Sequence, residues 1–251
     1  MKKWCIKRSS VFAKALKAYY DAFGDMGKIN AKMNSKYGFY SYPAGSVAKA
    51  IAPFDFIADQ LRGFSNIALD IRRCPDKVAA ACEAVAPVLI KKETPKNPSK
   101  YGLVNFPLHM GSYLRTKDFE KLYWPSFKYT VDELDKAGQR VGLFVEHDWM
   151  RYLDYLNEFP AGTIMRFEYG DPKLVKNKVG KKHIISGLYP LSLIKNGTKQ
   201  QCIDKAKELL DILAPGGNYF FDFDKSPITL DSINLENYTA VLQYVLDNGK
   251  Y

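Results

Sequence analysis

The run LFVEHDWMRYL, residues 143–153, carries an apolar stretch into Glu146, His147, Asp148 and Trp149. A carboxylate beside an imidazole can move protons near neutral pH when a recessed pocket holds both. Glu146, Asp148 and His147 are therefore candidate catalytic residues for general acid/base chemistry, with a solvated loop as the plain alternative. His109, which closes the run YGLVNFPLH, is a second imidazole of this kind, and a histidine held by a backbone carbonyl is its alternative. Successive strand residues alternate faces, so Glu146 and Asp148 pair on one side and His147 points elsewhere unless the strand has already ended. Arg62 and Arg151 carry the planar fork that binds a carboxylate or phosphate through paired hydrogen bonds. Trp149 and Tyr189, with Tyr113 and Trp124 as further aromatics, could line a pocket for a flat ligand. For Trp124 and Tyr123, just before Pro125, core packing is the stronger role. Asp222 and Asp224 close NYFFDFD two residues apart. One of them can orient a basic group, but with Glu146 they make only a weak hard-metal set, and no metal is expected. His183 opens a strand and is expected to be structural.

The elements that must position these residues follow a repeated grammar from residue 101 onward. Short apolar runs end in polar residues and a capped helix follows each. The expected strands are YGLVNFPLH, RVGLFVEH, TIMRFEY, HIISGLYP and NYFFDFD. Thr116 with Asp118, Asp171 followed by Pro172, Thr198 with Gln201 as a capping box, and Asn234 signal the helix starts. Strands alternating with helices predict parallel β/α units. No glycine-rich phosphate loop follows any strand, which removes the usual support for an open doubly wound sheet. In a barrel the polar strand ends face one common mouth. His109, Glu146–Trp149, Glu168–Asp171, Tyr189, Asp222 and Asp224 all fall at such ends. Residues 1–100 read instead as a mostly helical and irregular lead-in, with helices over SSVFAKALKAYYDAF and about 76–90, a loop at YGFYSYPAG and a Lys/Pro-rich connector at KKETPKNPSK. The chain as a whole is expected to form a single domain over 1–251.

Composition bounds the function. The chain has 251 residues, 47% of them hydrophobic, and a formal net charge of +10. That charge would suit anionic partners, but the lysines are dispersed and no nucleic-acid-binding signature is present, so no nucleic acid is expected. Charged residues and serines interrupt every apolar run of the basic N-terminus, and no stretch approaches the roughly 20 apolar residues that span a bilayer. No membrane association is expected. Cys5, Cys74, Cys82 and Cys202 are scattered without a CxxC pair, which suits reduced thiols and a cytoplasmic location.

On its motifs the chain resembles the uroporphyrinogen decarboxylase and corrinoid methyltransferase superfamily. The resemblance rests on FDFIADQLRG followed by DIRRCPDKV, on FPLHMGSYLRTKDFEKLYWPSF, on RVGLFVEH, on ISGLYPLSLIKNGTKQQ, and on APGGNYFFDFD leading to NLENYTAVLQYV. It covers roughly residues 40–251. It implies an α/β fold of the (β/α)8 TIM-barrel type, expected to be incomplete at the N-terminus, with a companion polypeptide or a homo-oligomer as the means of completing it.

The same resemblance shapes the chemistry expected. Decarboxylases of the family place a tyrosine just ahead of the glycine matching Gly63, where this chain offers Asp59, and a histidine after the last strand, where it has DFDKSP. The zinc-dependent methyltransferases carry His-x-Cys at the strand end that here reads His147-Asp148-Trp149, and no cysteine follows Cys202, so a thiolate zinc site cannot be built there. What remains resembles the non-zinc branch, which implies methyl transfer between a corrinoid (cobalamin) on a partner protein and a small-molecule acceptor such as a folate or thiol, with no cofactor bound tightly. In that role Glu146 and Asp148 would be acid/base or orienting groups, His109 and His147 polar contacts, and Arg151 an anion anchor, while Arg62, Trp149, Tyr189 and Asp224 would contact substrate. Porphyrinogen decarboxylation is the enzymatic alternative, and a non-catalytic barrel fragment that binds a partner is the other.

Overall fold

The computed structural model describes residues 2–37, 48–100 and 102–249, and the chain divides into two compact units, 1–42 and 43–251. The first unit contains helix α1, Lys2–Tyr37, which includes the helix expected over SSVFAKALKAYYDAF. Alanines at 13, 15, 18, 22 and 31 favour this helix intrinsically, and Lys17 and Lys28 pair with Asp21 and Asp25 along its surface. The loop expected in YGFYSYPAG lies, from residue 38 onward, outside the described residues.

The second unit is built on a parallel sheet of β1 (Ala48–Lys49), β2 (Leu103–Leu108), β3 (Arg140–Val145), β4 (Ile164–Phe167) and β5 (Ile184–Gly187), in that order. Four of the five strands expected between 101 and 224 are present. The fifth, NYFFDFD, is an extended segment held to the β5 side by two single parallel bridges, Ile185↔Tyr219 and Tyr189↔Phe223. Strand β1 adds to the reading of residues 1–100 as mostly helical and irregular: its two residues, Ala48 and Lys49, carry no period that a sequence pattern could reveal.

Between β1 and β2 lie α2 (Pro53–Phe56), which continues as a π-helical turn over Ile57–Arg62, then α3 (Phe64–Arg73) and α4 (Pro75–Glu93). Between β2 and β3 lie α5 (Thr116–Asp118), a second π-helical turn over Phe119–Tyr123, and α6 (Trp124–Lys136). The helix α7 (Leu153–Leu156) precedes β4, α8 (Pro172–Lys178) precedes β5, and α9 (Leu191–Asn196), α10 (Lys199–Leu213) and α11 (Leu235–Asn248) follow. Three of the expected start signals act as caps. Asp171 accepts from Lys173 N and Leu174 N, Thr198 and Gln201 close a full capping box, and Asn234 accepts from Glu236 N and Asn237 N. At the fourth, Thr116 lies inside its helix behind Arg115, and Arg115 makes no capping bond. No helix among the described residues is long and apolar enough to cross a membrane.

One face of the sheet is sealed by helices. Val104, Phe106, Leu108, Leu143, Val145, Met165, Phe167 and Ile185 alternate along their strands and are buried in one hydrophobic cluster. The helices meet them with apolar stripes at helical spacing, among them Phe127, Val131 and Leu134 on α6 and Cys202, Ala206, Leu209 and Leu213 on α10. Tyr123 and Trp124 belong to this core, as their place before Pro125 leads one to expect. The opposite face presents Asn105, Pro107, Phe144, Ile164, Arg166 and Ile184, all half-buried.

Two positions expose the constraints of this packing. Gly187 ends β5 at φ 85°, and a Cβ there would sit 2.3 Å from the Phe167 carbonyl oxygen. Gly187→Ala should combine left-handed strain with overpacking and cost about 2–4 kcal/mol, read as a lowered urea midpoint; an unchanged midpoint would contradict this register of β4 against β5.

The second is Glu93, which continues the buried α4 stripe of Val78, Cys82, Ala86 and Leu89 and is only 3% exposed. Its Oε1 accepts from Ile51 N at 3.0 Å, while Oε2 has no hydrogen-bond partner. Burial pushes this carboxyl up to about 7, against the Ile51 N–H and Lys92, which favour its ionised form. A folded pKa above the unfolded value of about 4.3 means that the folded state holds the proton more tightly, so stability is greatest in acid and falls as pH rises to about 7. Glu93→Gln keeps the acceptor for Ile51 N and removes the charge. It should gain on the order of 2 kcal/mol over the parent at pH 8 and little at pH 4, measured by urea unfolding at the two pH values; a gain equal at both would show that Glu93 is not the titrating group.

Candidate functional site

Because β2, β3 and β4 run parallel in register, the residues that follow Leu108, Val145 and Phe167 emerge on one rim. His109, Glu146 and Glu168 are therefore neighbours by topology, although 22 or more positions separate them in sequence. A further acid reaches the rim from the π-helical turn after α2. His109 Nδ1 lies 2.6 Å from Asp59 Oδ2, and its Nε2 lies 3.5 Å from Glu146 Oε2. Burial opposes the charged ring of His109, but the hydrogen bond to Asp59 and the charges of Asp55, Asp59 and Glu146 outweigh it and raise its pKa.

Behind His109 stands Asp55, fully buried. It accepts from His109 N at 3.1 Å, Met110 N at 2.9 Å and the Tyr123 hydroxyl at 2.8 Å. Burial pushes its carboxyl up to about 6, against those three hydrogen bonds. Tyr123 in turn stacks on Phe119, whose ring lies against Trp149 and Tyr152, so the carboxylate is set into an aromatic core.

The second imidazole is held differently. Strand β3 has already ended at Val145, and His147 takes the left-handed conformation at φ 63°. Such backbone costs of order 1–3 kcal/mol in a non-glycine residue and persists only where surroundings enforce it. Here Glu168 does so: its Oε2 accepts from His147 N at 2.9 Å and its Oε1 from Lys225 Nζ at 2.6 Å. Burial raises Glu168, but Lys225, the His147 N–H and the His147 ring together hold it below the ordinary range. His147 Nε2 lies 3.1 Å from the Tyr113 hydroxyl, and Tyr113 packs edge-on against Phe64. A cleft of about 380 Å³ opens here, lined by His147, Asp148, Glu168, Tyr169, Asp224 and Lys225.

Several sequence expectations are corrected. Trp149 is fully buried in the core; its Nε1 donates to Glu146 O, and its ring sits against Gly111, where a Cβ would lie 2.4 Å away. It contributes rigidity to the rim and no ligand surface. Tyr189 is likewise fully buried, with its hydroxyl donating to Cys202 O. Arg62 pairs with Asp70, and Arg151 donates to the carbonyls of Ser112 and Leu114, so part of each guanidinium is already engaged within the protein. The face-sharing of Glu146 and Asp148 does not apply, since both lie past the strand end: Glu146 turns to His109, while Asp148 accepts from Met150 N beside the cleft. Asp224 lines the cleft but accepts from Leu191 N, and Asp222 lies 3.3 Å from Arg166 on the half-buried face. His183 is fully buried, and burial lowers its pKa to about 4, as fits a structural residue.

Asp55 and Lys225 were not singled out from sequence; Glu168 was placed only among the polar strand ends facing the mouth, and Asp59 only at the position of the decarboxylases' tyrosine. Asp55 and Asp59 did leave a signal, two carboxylates four residues apart inside the apolar PFDFIADQL. Lys225 left none, because its partner lies 57 positions away. Among the described residues no group of three or more histidine, cysteine, aspartate or glutamate side chains could hold a metal ion.

The rim is thus a set of paired acids and imidazoles, not a cluster of cations. Arg166 and Lys225 are each matched to a carboxylate. A search of curated proteins finds no match. A family model described as uroporphyrinogen decarboxylase (URO-D) matches residues 45–240, well over half of the chain. That span contains the whole parallel sheet and both imidazole pairs. The chain belongs to the uroporphyrinogen decarboxylase family, and its β/α units are those of a (β/α)8 TIM-barrel type of fold.

Proposed function

We propose that this family member is a methyltransferase that works with a corrinoid protein, and that the Asp59–His109–Glu146 set manages the proton of a small methyl acceptor. The observation that carries the reading is the pairing of rim charges. A porphyrinogen bears many carboxylates and calls for unpaired cations at the mouth, whereas Arg62, Arg151, Arg166 and Lys225 are engaged within the protein. An acceptor thiol or amine instead brings a proton that must leave as the new bond to carbon forms, which an imidazole between two carboxylates can take up.

The corrinoid, carried by the partner, supplies the methyl group. The chain's own residues would do the rest. His109 in its neutral form accepts the acceptor's proton at Nε2, and Glu146 steadies the resulting imidazolium from 3.5 Å. Asp59 fixes the ring through Nδ1. His147 and Asp148 border the cleft in which the acceptor sits, with the backbone at His147 locked by Glu168.

Turnover of methylcobalamin with a thiol or folate acceptor tests this directly. His109→Gln and Glu146→Gln should each lower kcat by about 10²-fold or more with little change in KM. Since His109 must be neutral to act, the rate should rise with pH through its pKa. Asp59→Asn, which removes a carboxylate that raises that pKa, should move the rising limb to lower pH. Rapid decarboxylation of uroporphyrinogen, or methyl transfer indifferent to His109, would overturn the reading.

The metal content gives a separate check. With Trp149 where the zinc branch places a cysteine and no cysteine after Cys202, elemental analysis of purified protein should find far less than stoichiometric zinc, and methyl transfer should survive chelators. Stoichiometric zinc whose removal stops turnover would contradict the non-zinc assignment.

A further inference from the structure

A fully buried carboxyl lies beneath the rim, and the proton-handling step does not itself use it. Asp55 touches no solvent, so it is out of reach of a ligand. It nevertheless holds the residues through which β2 leaves the sheet. Its two oxygens take the N–H groups of His109 and Met110, and the hydroxyl of Tyr123 completes the set. The residues just beyond Met110 form the 3₁₀ turn Gly111–Tyr113, which delivers Tyr113 to His147. One buried carboxylate therefore anchors the backbone that carries His109 and, a few residues on, the Tyr113 hydroxyl that meets the His147 ring.

The groups facing Asp55 come from every side. Tyr123 approaches from the second π-helical turn, Cys82 from α4 and His109 from the end of β2, while Asp59, from the turn that follows α2, acts on the same His109 and Tyr123. Of these, His109 is the only group that can carry a positive charge. Tyr123 and Cys82 are held in their neutral forms by burial, with Cys82 pushed up to about 12. A charge on Asp55 helps to keep Tyr123 and Cys82 neutral, and it favours the positive form of the His109 imidazole.

We propose that Asp55 is a positioning residue of the site: through the His109 and Met110 amides it aims the His109 ring at Asp59 and Glu146. Its buried charge also favours the protonated ring. Protonation of Asp55 would loosen both restraints at once, since a neutral carboxyl loses part of its acceptor capacity for three donors. The inference rests on the reading of His109 as the proton-handling group, and its test requires no turnover.

The chain has three histidines, so protein labelled with ¹⁵N at histidine gives three sets of ring signals, assigned with His147→Gln and His183→Gln. In Asp55→Asn, which keeps the shape and most of the hydrogen bonds, the His109 titration midpoint should shift downward while the fold is retained by circular dichroism. A residue of merely structural importance would lower the melting temperature and leave that midpoint in place, and this result would overturn the proposal. Should Asp55→Asn fail to fold, the unmodified protein answers the same question. The His109 and Met110 amide signals should share an inflection with a midpoint of about 6, and the His109 ring should show the same inflection; a ring curve without it would equally overturn the proposal. An inactive parent enzyme in the methylcobalamin assay would count against the proposed function and leave the Asp55 result standing.

Discussion

Parallel pairing is the constraint on which the rest of this protein depends. In a parallel sheet every strand finishes on the same side, so each strand must release its chain on one rim while helices carry it back along the sealed face. The register from β2 to β5 fixes where each strand end emerges: Leu108, Val145, Phe167 and Gly187 form one row across the sheet. His109, Glu146 and Glu168 meet for that reason, without any local sequence feature that links them. The apolar alternation that seals the opposite ends of these side-chain rows against helices is the same feature that keeps the register from slipping, since a one-residue shift would turn Phe106, Leu143 and Met165 out of the core.

A rim of acids and imidazoles would be floppy if only loops held it. Here the loops are pinned by the core beneath. Trp149 fills the space over Gly111 and donates to Glu146 O. Arg151 and the Tyr152 hydroxyl bind the carbonyl of Leu114 on the neighbouring loop. Asp55 holds the exit of β2, and Glu168 with Lys225 holds His147 in a backbone conformation it would not otherwise keep. Residues that read as ligand contacts in the sequence, Trp149 and Arg151 above all, serve instead to fix the geometry of those that face the cleft. Preorganisation of this kind is what electrostatic chemistry at a solvent-exposed mouth requires, because a mobile carboxylate is screened by water.

Much of the fold was legible in the sequence because its signals are local. Apolar runs bounded by polar residues marked β2 to β5, and Asp171, Thr198 and Asn234 marked helix starts through bonds to amides two or three residues away. What was not legible depends on distance or on tertiary context. β1 is too short for any period. NYFFDFD has the composition of a strand, but after two glycines and a left-handed Asn218 it makes only single bridges. An aromatic residue just past a strand end looks the same in sequence whether it lines a cleft, as Tyr169 does, or lies in the core, as Tyr189 does. The acids that complete the site, Asp55 and Asp59, lie 50 or more positions before the histidine that they serve.

The claim on which most hangs is that His109 and Glu146 form one functional unit, and coupling between them is measurable. A double-mutant cycle on methyl transfer, comparing His109→Gln, Glu146→Gln and the double variant, isolates that coupling from the separate effects of each change. A unit predicts that the double variant loses no more rate than the worse single variant. Losses that multiply would mean that the two side chains act independently, and the acid–imidazole set would then be a contact without a shared task.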